Sequence, residues 1–587
     1  MWFSRGIVVV FALLPLARGA APTFNHDVAP IVYRYCAPCH RPGESGPFAL
    51  LNYQDVKKRA RQIADITKSR FMPPWLPEAG HGDFADELRL SDDQIRTIAD
   101  WVAAGASEGD AANAPTPPKF TEGWQLGPPD LILETKDAHA IPAAGADVYW
   151  NFIFTADIKT PRWVRAIEIR PGNKRSVHHA NLYIDRARSA RAQEIAPGAG
   201  FPGMDPVIER SIFEPDDGHF LYWKPGGIPY SEPDGFAWRL DPGNDLVLNA
   251  HMLTTGKPES VRPVIGLYFT DKPRTQFSML IQLEHDGALN IPPGVGDYLV
   301  SDDFKLPLDV DVMAIYPHAH GLGRLLEGYA TLPNGEKKWL IRVPDWDRTW
   351  EAVYRYRAPV FLPRGSVISM RFHYDNSAAN PRNPNHPPKR VRAGNRVTDE
   401  MGHLWLQVLP RGGRDLRMEL EEALVRHRLE KYPDDFSAHL HLGGIRLARM
   451  DAQAAAAELE KAVGIEPKNP EARNMLGSAF AALGRTNDAM AEFRLAIKER
   501  PDYQNARYNL ARALIKSGHL DEALDLFRQV VAAYPGDAQA RNGLGELLYR
   551  QGKYGEALAE FDRAIALDPS NDLAKKNRDL AQKAAQK

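Results

Sequence analysis

The spacing of apolar residues changes character along the chain, and each change marks a boundary. Ile7 to Leu16 is an apolar run, preceded by Arg5 and followed by the small-residue zone Ala17 to Ala21. That order predicts a secretory signal over 1–21, its apolar part being about half the roughly 20 residues a spanning helix needs. From there to 106 the pattern is helical: Ile95, Ile98, Trp101 and Val102 fall on one face behind Ser91, which predicts an N-cap. Gly109 to Lys119, rich in Pro, Ala and Asn, has no apolar period and predicts a linker over 107–119. Runs such as Val247 to Leu253 and Val367 to Tyr374, set among many Pro and Gly turns, predict strands up to about 411. Helical periodicity then returns, in a tail rich in Ala, Leu, Arg and Glu.

The tail repeats itself. Pro433, Pro467, Pro501, Pro535 and Pro569 stand 34 residues apart. In phase with them come Gly477, Ala511 and Gly545, the turn glycines Gly484, Gly518 and Gly552, then Ala489, Ala523 and Ala557, then Phe493, Phe527 and Phe561. Small residues let paired helices approach, the aromatic fills the gap, and proline stops the second helix. This resembles the tetratricopeptide repeat. Four copies are expected, 434–467, 468–501, 502–535 and 536–569, with end helices completing 418–587. The first copy departs from the pattern, because Met450 replaces the turn glycine. Such arrays mostly bind proteins, so a protein partner is expected here.

Composition narrows the class. The chain has 587 residues, 44% hydrophobic and 25% charged, and a formal net charge of −2. These values exclude wholesale disorder and a polytopic membrane protein, and they give no global attraction to nucleic acid. All 12 tryptophans precede position 406, and 41 of 47 prolines precede 418, so the β-rich and repeat regions are compositionally separate. No later run reaches spanning length. The mature chain is therefore expected without a transmembrane segment, in a periplasm or secreted.

Both cysteines of the chain lie in Cys36-Ala37-Pro38-Cys39-His40. C-x-x-C-H is the arrangement of covalent c-type haem attachment, two thiols on the vinyl groups and the histidine on iron. A redox or zinc C-x-x-C is the alternative. Met72, in Phe71-Met72-Pro73-Pro74-Trp75, is the expected sixth ligand, with His81 its competitor; a thioether favours electron transfer over oxygen binding. The stretch 24–106 resembles a small class I cytochrome c.

Eleven of the 18 histidines fall in 118–411. They concentrate in Ser176-Val177-His178-His179-Ala180, Leu248-Asn249-Ala250-His251-Met252, Tyr316-Pro317-His318-Ala319-His320-Gly321 and Thr398-Asp399-Glu400-Met401-Gly402-His403. In a strand His318 and His320 share a face and can chelate one metal. His178 and His179 face opposite ways in a regular strand, so sharing an ion requires local twist or a strand end. Each cluster taken singly is also compatible with a hydrogen-bonded core histidine.

In order and context these clusters resemble the copper type II monooxygenases, the family of peptidylglycine α-hydroxylating and dopamine β-monooxygenases. The resemblance runs through Trp150-Asn151-Phe152, SVHHANLYID, LVLNAHM, YPHAHGLG and TDEMGHLWL. It implies an electron-transferring copper on His178, His179 and His251, and an oxygen-activating copper on His318, His320 and Met401. It also implies two consecutive antiparallel β-sandwiches, 120–272 and 273–411. The animal enzymes are disulfide-rich, whereas this region has no cysteine. His403 is the local competitor of Met401.

The expected whole is multidomain: a small helical cytochrome c domain, two β-sandwiches and a superhelix of repeats. The expected activity is hydroxylation of a C–H bond of a small-molecule or peptide-like substrate by O2. Two copper ions and one c-type haem would serve it, with electrons from an ascorbate-like reductant or a redox protein. The rivals are a non-catalytic multi-redox carrier or copper-binding protein, and an interaction scaffold built on the repeats.

Overall fold

The computed structural model describes residues 21–586 apart from 187, 205, 207, 209–217, 502 and 570, so the signal expected over 1–21 lies almost wholly outside the described residues. The chain divides into two compact units. Of the described residues, one holds those up to Leu409 apart from Phe304–Asp309; the other holds those from Pro410 onward together with that segment.

The first unit begins with helices. A turn of π-helix, Phe24–Val28, runs into Ala29–Tyr35; Tyr53–Lys57, Ala60–Lys68 and Asp92–Ala103 follow. Ser91 caps the last of these as its sequence position predicts: its hydroxyl accepts the Gln94 N–H while the Gln94 side chain accepts the Ser91 N–H. The face carrying Ile98 and Trp101 is buried against Phe24, Val28 and Val32, with the Phe24 and Trp101 rings 6.1 Å apart.

The remainder of the unit is antiparallel β-structure in two successive sheet pairs. In the first pair, a four-stranded sheet is ordered Leu131–Glu134, Val264–Thr270, Arg162–Arg170, Trp238–Leu240. It shares one core with a five-stranded sheet ordered Phe201–Pro202, Val148–Thr155, Asp245–Met252, Val177–Asp185, Tyr222–Trp223. Val164, Trp238 and Leu267 of the former meet Phe152, Leu182 and Leu248 of the latter in that core. The strand Asp245–Met252 is buried along its whole length because neighbours flank it on both sides.

The second pair comprises Met279–Glu284, Gly402–Pro410, Val310–Ala319, Tyr354–Leu362 in one sheet and Tyr298–Lys305, Val367–Tyr374, Gly323–Thr331, Lys337–Val343 in the other. Gly328 lets the two sheets close: a Cβ there would stand 2.9 Å from Leu404.

The helices and sheets of this unit are sewn together by the segment 71–85. Glu78 N–H donates to the Arg342 carbonyl at 2.7 Å, and Ala85 N–H to that of Arg355 at 2.8 Å. The buried Phe84 ring packs on Tyr354 and Tyr356.

In the second unit, helices come in pairs at the expected phase: Phe436–Ala448 with Ala452–Ile465, Pro470–Ala482 with Thr486–Glu499, Gln504–Lys516 with Leu520–Ala533, and Ala538–Arg550 with Tyr554–Leu567. Arg417–Lys431 precedes them and Asp572–Ala585 follows. A Cβ on Gly477 would stand 2.6 Å from the Phe493 ring, and one on Gly545 2.7 Å from Phe561, so the small-residue positions are contact points of paired helices.

The turn residues Gly484, Gly518 and Gly552 have φ of 77°, 80° and 74°; Met450, in the equivalent place, is held at 59° with its side chain 91% exposed. A left-handed residue with a Cβ costs roughly 1–2 kcal/mol, against roughly 0.4–1 kcal/mol of chain entropy that glycine gives up on folding. Met450→Gly is therefore expected to stabilise the isolated fragment 410–587 by about 0.5–1 kcal/mol, read by thermal or urea unfolding followed by circular dichroism. Phe527→Ala is expected to cost about 3–5 kcal/mol. A destabilised Met450→Gly would contradict the turn strain.

Candidate metal centres

Two histidine clusters lie in the first unit, one on each sheet pair. The first is built on the strand Val177–Asp185 and its central neighbour Asp245–Met252, where the register sets His179 directly opposite His251. The pairing slips between Val177 and His179, which places a bulge at His178. A bulge re-aims the extra residue, and so the adjacent His178 and His179 reach the same point, which a regular strand forbids. Among the described residues, His178, His179 and His251 are the one group of three or more His, Cys, Asp or Glu side chains whose ligand atoms all lie within 4.8 Å.

Hydrogen bonds decide which nitrogens meet. The Nδ1 atom of His178 lies 3.1 Å from Nδ1 of His179 and 3.3 Å from Nδ1 of His251. Nε2 of His178 faces the Thr349 carbonyl at 2.9 Å, and Nε2 of His251 faces the Asp147 carboxylate at 3.0 Å. A carbonyl and a carboxylate only accept, so both Nε2 atoms carry the proton and both Nδ1 atoms present lone pairs. Burial, reinforced at His178 by the neighbouring His251, pushes the values of His178 and His179 down, that of His179 to about 3. Neutral imidazoles with converging lone pairs repel one another and suit a metal ion such as copper or zinc.

The second cluster uses the opposite nitrogens. His318 is the penultimate residue of the strand Val310–Ala319, and His320 follows that strand directly. Nδ1 of His318 faces Glu351 Oε2 at 3.0 Å, and Nδ1 of His320 faces the Asp399 carbonyl at 3.0 Å, so Nε2 is the ligand atom of each. The two rings stand perpendicular with centroids 5.4 Å apart. Trp346 N–H donates to the carbonyls of Ala319 and His320, and Gly323 makes room for its indole, since a Cβ there would stand 2.7 Å away.

Sequence reasoning did not single out Glu351 or Glu400, the carboxyls that hold this cluster. Glu351 takes bonds from His318 and from the Tyr316 hydroxyl. Burial acts to raise its carboxyl, but His318, His179 and those bonds outweigh it and keep it far below the ordinary carboxylate range. Glu400 is fully buried; desolvation pushes it up to about 7, although the N–H groups of His320, Leu322 and Met401 all donate to it. That carboxyl ties the His320 turn to the start of the strand Gly402–Pro410.

Met401 is buried, with its carbonyl accepting from Tyr374. The His403 ring lies 6.1 Å from that of His318, and its Nε2 lies 3.3 Å from Asp286.

The C-x-x-C-H motif sits at the end of the helix Ala29–Tyr35. Cys36 and Cys39 are unpaired thiols. Burial raises both, Cys36 to about 12, which is opposite to the depressed thiol of a redox C-x-x-C. Nδ1 of His40 faces the Phe48 carbonyl at 3.2 Å, which leaves Nε2 as the ligand atom. These features fit a covalently attached haem. Met72 lies half-buried in the turn after Ala60–Lys68. The His81 ring packs on Trp339 at 4.7 Å, with Nδ1 3.1 Å from the Ala79 carbonyl, so it is engaged by the sheets.

The buried histidines set a pH dependence. Desolvation holds His179 near 3 and His320 near 4, against 6.5 as the ordinary value. A histidine depressed in the fold contributes stability that is complete above its unfolded value and is lost as pH falls toward the folded one. Metal-free protein is therefore expected to lose unfolding free energy from pH 6.5 down through about pH 4. Urea titrations followed by tryptophan fluorescence read this unit alone, since every tryptophan precedes position 406. His179→Phe should flatten the slope; a slope unchanged by it would contradict a buried neutral His179.

The family matches fall in the tail. The tetratricopeptide repeat family matches residues 419–470 and 508–572 in one form and 446–502 in another. No curated protein matches the chain. Among solved structures, YrrB, a TPR protein with an unusual peptide-binding site, is 25% identical over 28% of this chain and 84% of its own, with a TM-score of 0.25. MamA is 22% identical over 26% of this chain and 89% of its own, also with a TM-score of 0.25. The C-terminal part of the chain is an array of tetratricopeptide repeats, a scaffold that suggests a protein partner.

Proposed function

We propose that the first unit is an exported copper monooxygenase with its own c-type haem, and that the repeats dock a protein partner. The observation that carries this reading is the convergence of His178, His179 and His251 through one kind of nitrogen, with acceptors fixing the proton on the other nitrogen of His178 and His251. The order of the two clusters and the two sheet pairs, read as successive sandwiches, supports the family resemblance. Copper at such sites supplies one-electron exchange and reaction with O2.

The chain's residues have separable tasks. Thr349 and Asp147 fix the first cluster's protonation; Glu351 and the Asp399 carbonyl fix that of His318 and His320. The thioether of Met401 is the third donor to the second cluster and favours Cu(I). Glu400 holds the backbone of Met401 and His320 in place. His40 and Met72 are the axial ligands of a haem attached at Cys36 and Cys39. The substrate is a small or peptide-like molecule, and an ascorbate-like reductant or redox protein is the electron source.

A second reading is favoured by the repeat matches: a periplasmic interaction scaffold in which the histidine clusters carry no chemistry. Metal analysis and oxygen uptake separate the two. Purified protein is expected to hold two coppers and one haem, and His251→Ala one copper fewer. Met401→Leu, nearly volume-conserving, should keep the fold and the first copper but abolish hydroxylation, and reduced-copper sulfur scattering in X-ray absorption should vanish. His403→Ala should keep both coppers. Met72→Ala should lose the methionine-to-iron absorption band with the haem still attached. Metal-free protein as purified, refractory to copper loading, would favour the scaffold.

A further inference from the structure

In the first unit, one ring contact joins the loop that carries Met72 to the segment whose neighbouring residues hold both histidine clusters. Phe71, the neighbour of Met72, sets its ring edge-on to Trp350 with centroids 5.6 Å apart. Trp350 stands between two residues that each hold one histidine cluster. Before it, the Thr349 carbonyl lies 2.9 Å from His178 Nε2; after it, the Glu351 carboxylate lies 3.0 Å from His318 Nδ1.

The same seam closes around the haem motif from another side. A Cβ on Gly226 would fall on Cys39 Sγ. Gly226 lies in the turn after Tyr222–Trp223, and the Tyr222 ring stacks on His179 at 5.8 Å. The indole N–H of Trp350, on the Phe71 contact, is buried without an acceptor. A buried donor left unpaired is costly and calls for a missing partner. Haem held by Cys36 and Cys39 brings two carboxylates, which are acceptors of that kind.

We propose that Trp350 is the positioning residue that couples the haem to the His178–His179–His251 site, so that an electron passes within the chain and not through a collision with a separate carrier. This rests on the copper reading above. One electron leaves ferrous haem and reduces one cupric ion at the trio to cuprous; no bond forms or breaks and no proton moves. An external one-electron reductant then restores the ferrous haem. The Trp350 ring joins the Phe71–Met72 segment to the residue next to the carbonyl bonded to His178, and an aliphatic side chain in its place would remove that ring contact.

The test uses full-length protein loaded with haem and copper, the haem being reduced photochemically and its reoxidation followed by absorption. The first-order rate is expected to be independent of protein concentration. Trp350→Leu should slow it by roughly tenfold or more, Trp350→Phe should restore it, and Phe71→Leu should slow it from the other side of the contact. Haem potential and copper spectra, recorded for each variant, separate coupling from driving force. A rate proportional to protein concentration, or one unchanged in both leucine variants, would overturn the proposal while leaving the copper reading standing. A trio that takes up no copper would overturn both. Should Trp350→Leu not fold, Phe71→Leu decides alone.

Discussion

The chemistry of the β-rich unit depends on which nitrogen of each histidine a hydrogen-bond acceptor occupies. Imidazole offers one lone pair when neutral, and an acceptor on one side commits the other side to be the ligand. Thr349 and Asp147 commit Nδ1 at the first cluster, whereas Glu351 and Asp399 commit Nε2 at the second. Nε2 stands farther from the backbone than Nδ1, so two clusters made from the same residue type present differently shaped sites.

The short segment Thr349–Glu351 serves both. Its carbonyl and its carboxylate lie two residues apart, so displacement of this segment by packing changes both clusters together. Its surroundings are correspondingly heavy: Trp346 is fully buried under the His320 turn, and Trp350 meets Phe71. An ionised, buried Glu351 is tolerated because His318 and the Tyr316 hydroxyl hydrogen-bond to it, as a buried charge requires.

What the sequence carried and what it did not divide along physical lines. The repeat phase was legible because stacking forces each copy to meet the same neighbours, and even the misfit at Met450 shows as a left-handed turn without glycine. Strands, the Ser91 cap and the face shared by His318 and His320 follow from local periodicity. The convergence of His178 with His179 was legible only through the family resemblance and not from strand periodicity, because it depends on a bulge that no glycine or proline announces. Nor were the acceptors: Thr349 acts through its backbone carbonyl, and Glu351 and Asp147 lie far in sequence from their histidines. The contacts of Cys39 with Gly226 and Phe71 with Trp350 join residues far apart in sequence, and only tertiary packing creates them.

The most direct measurement is anomalous diffraction at the copper edge from copper-loaded crystals of the full chain. The expected result is a copper peak bonded to Nδ1 of His178, His179 and His251, and a second bonded to Nε2 of His318 and His320. Copper bonded through Nε2 at the first cluster, or no peak there at full loading, would contradict the account.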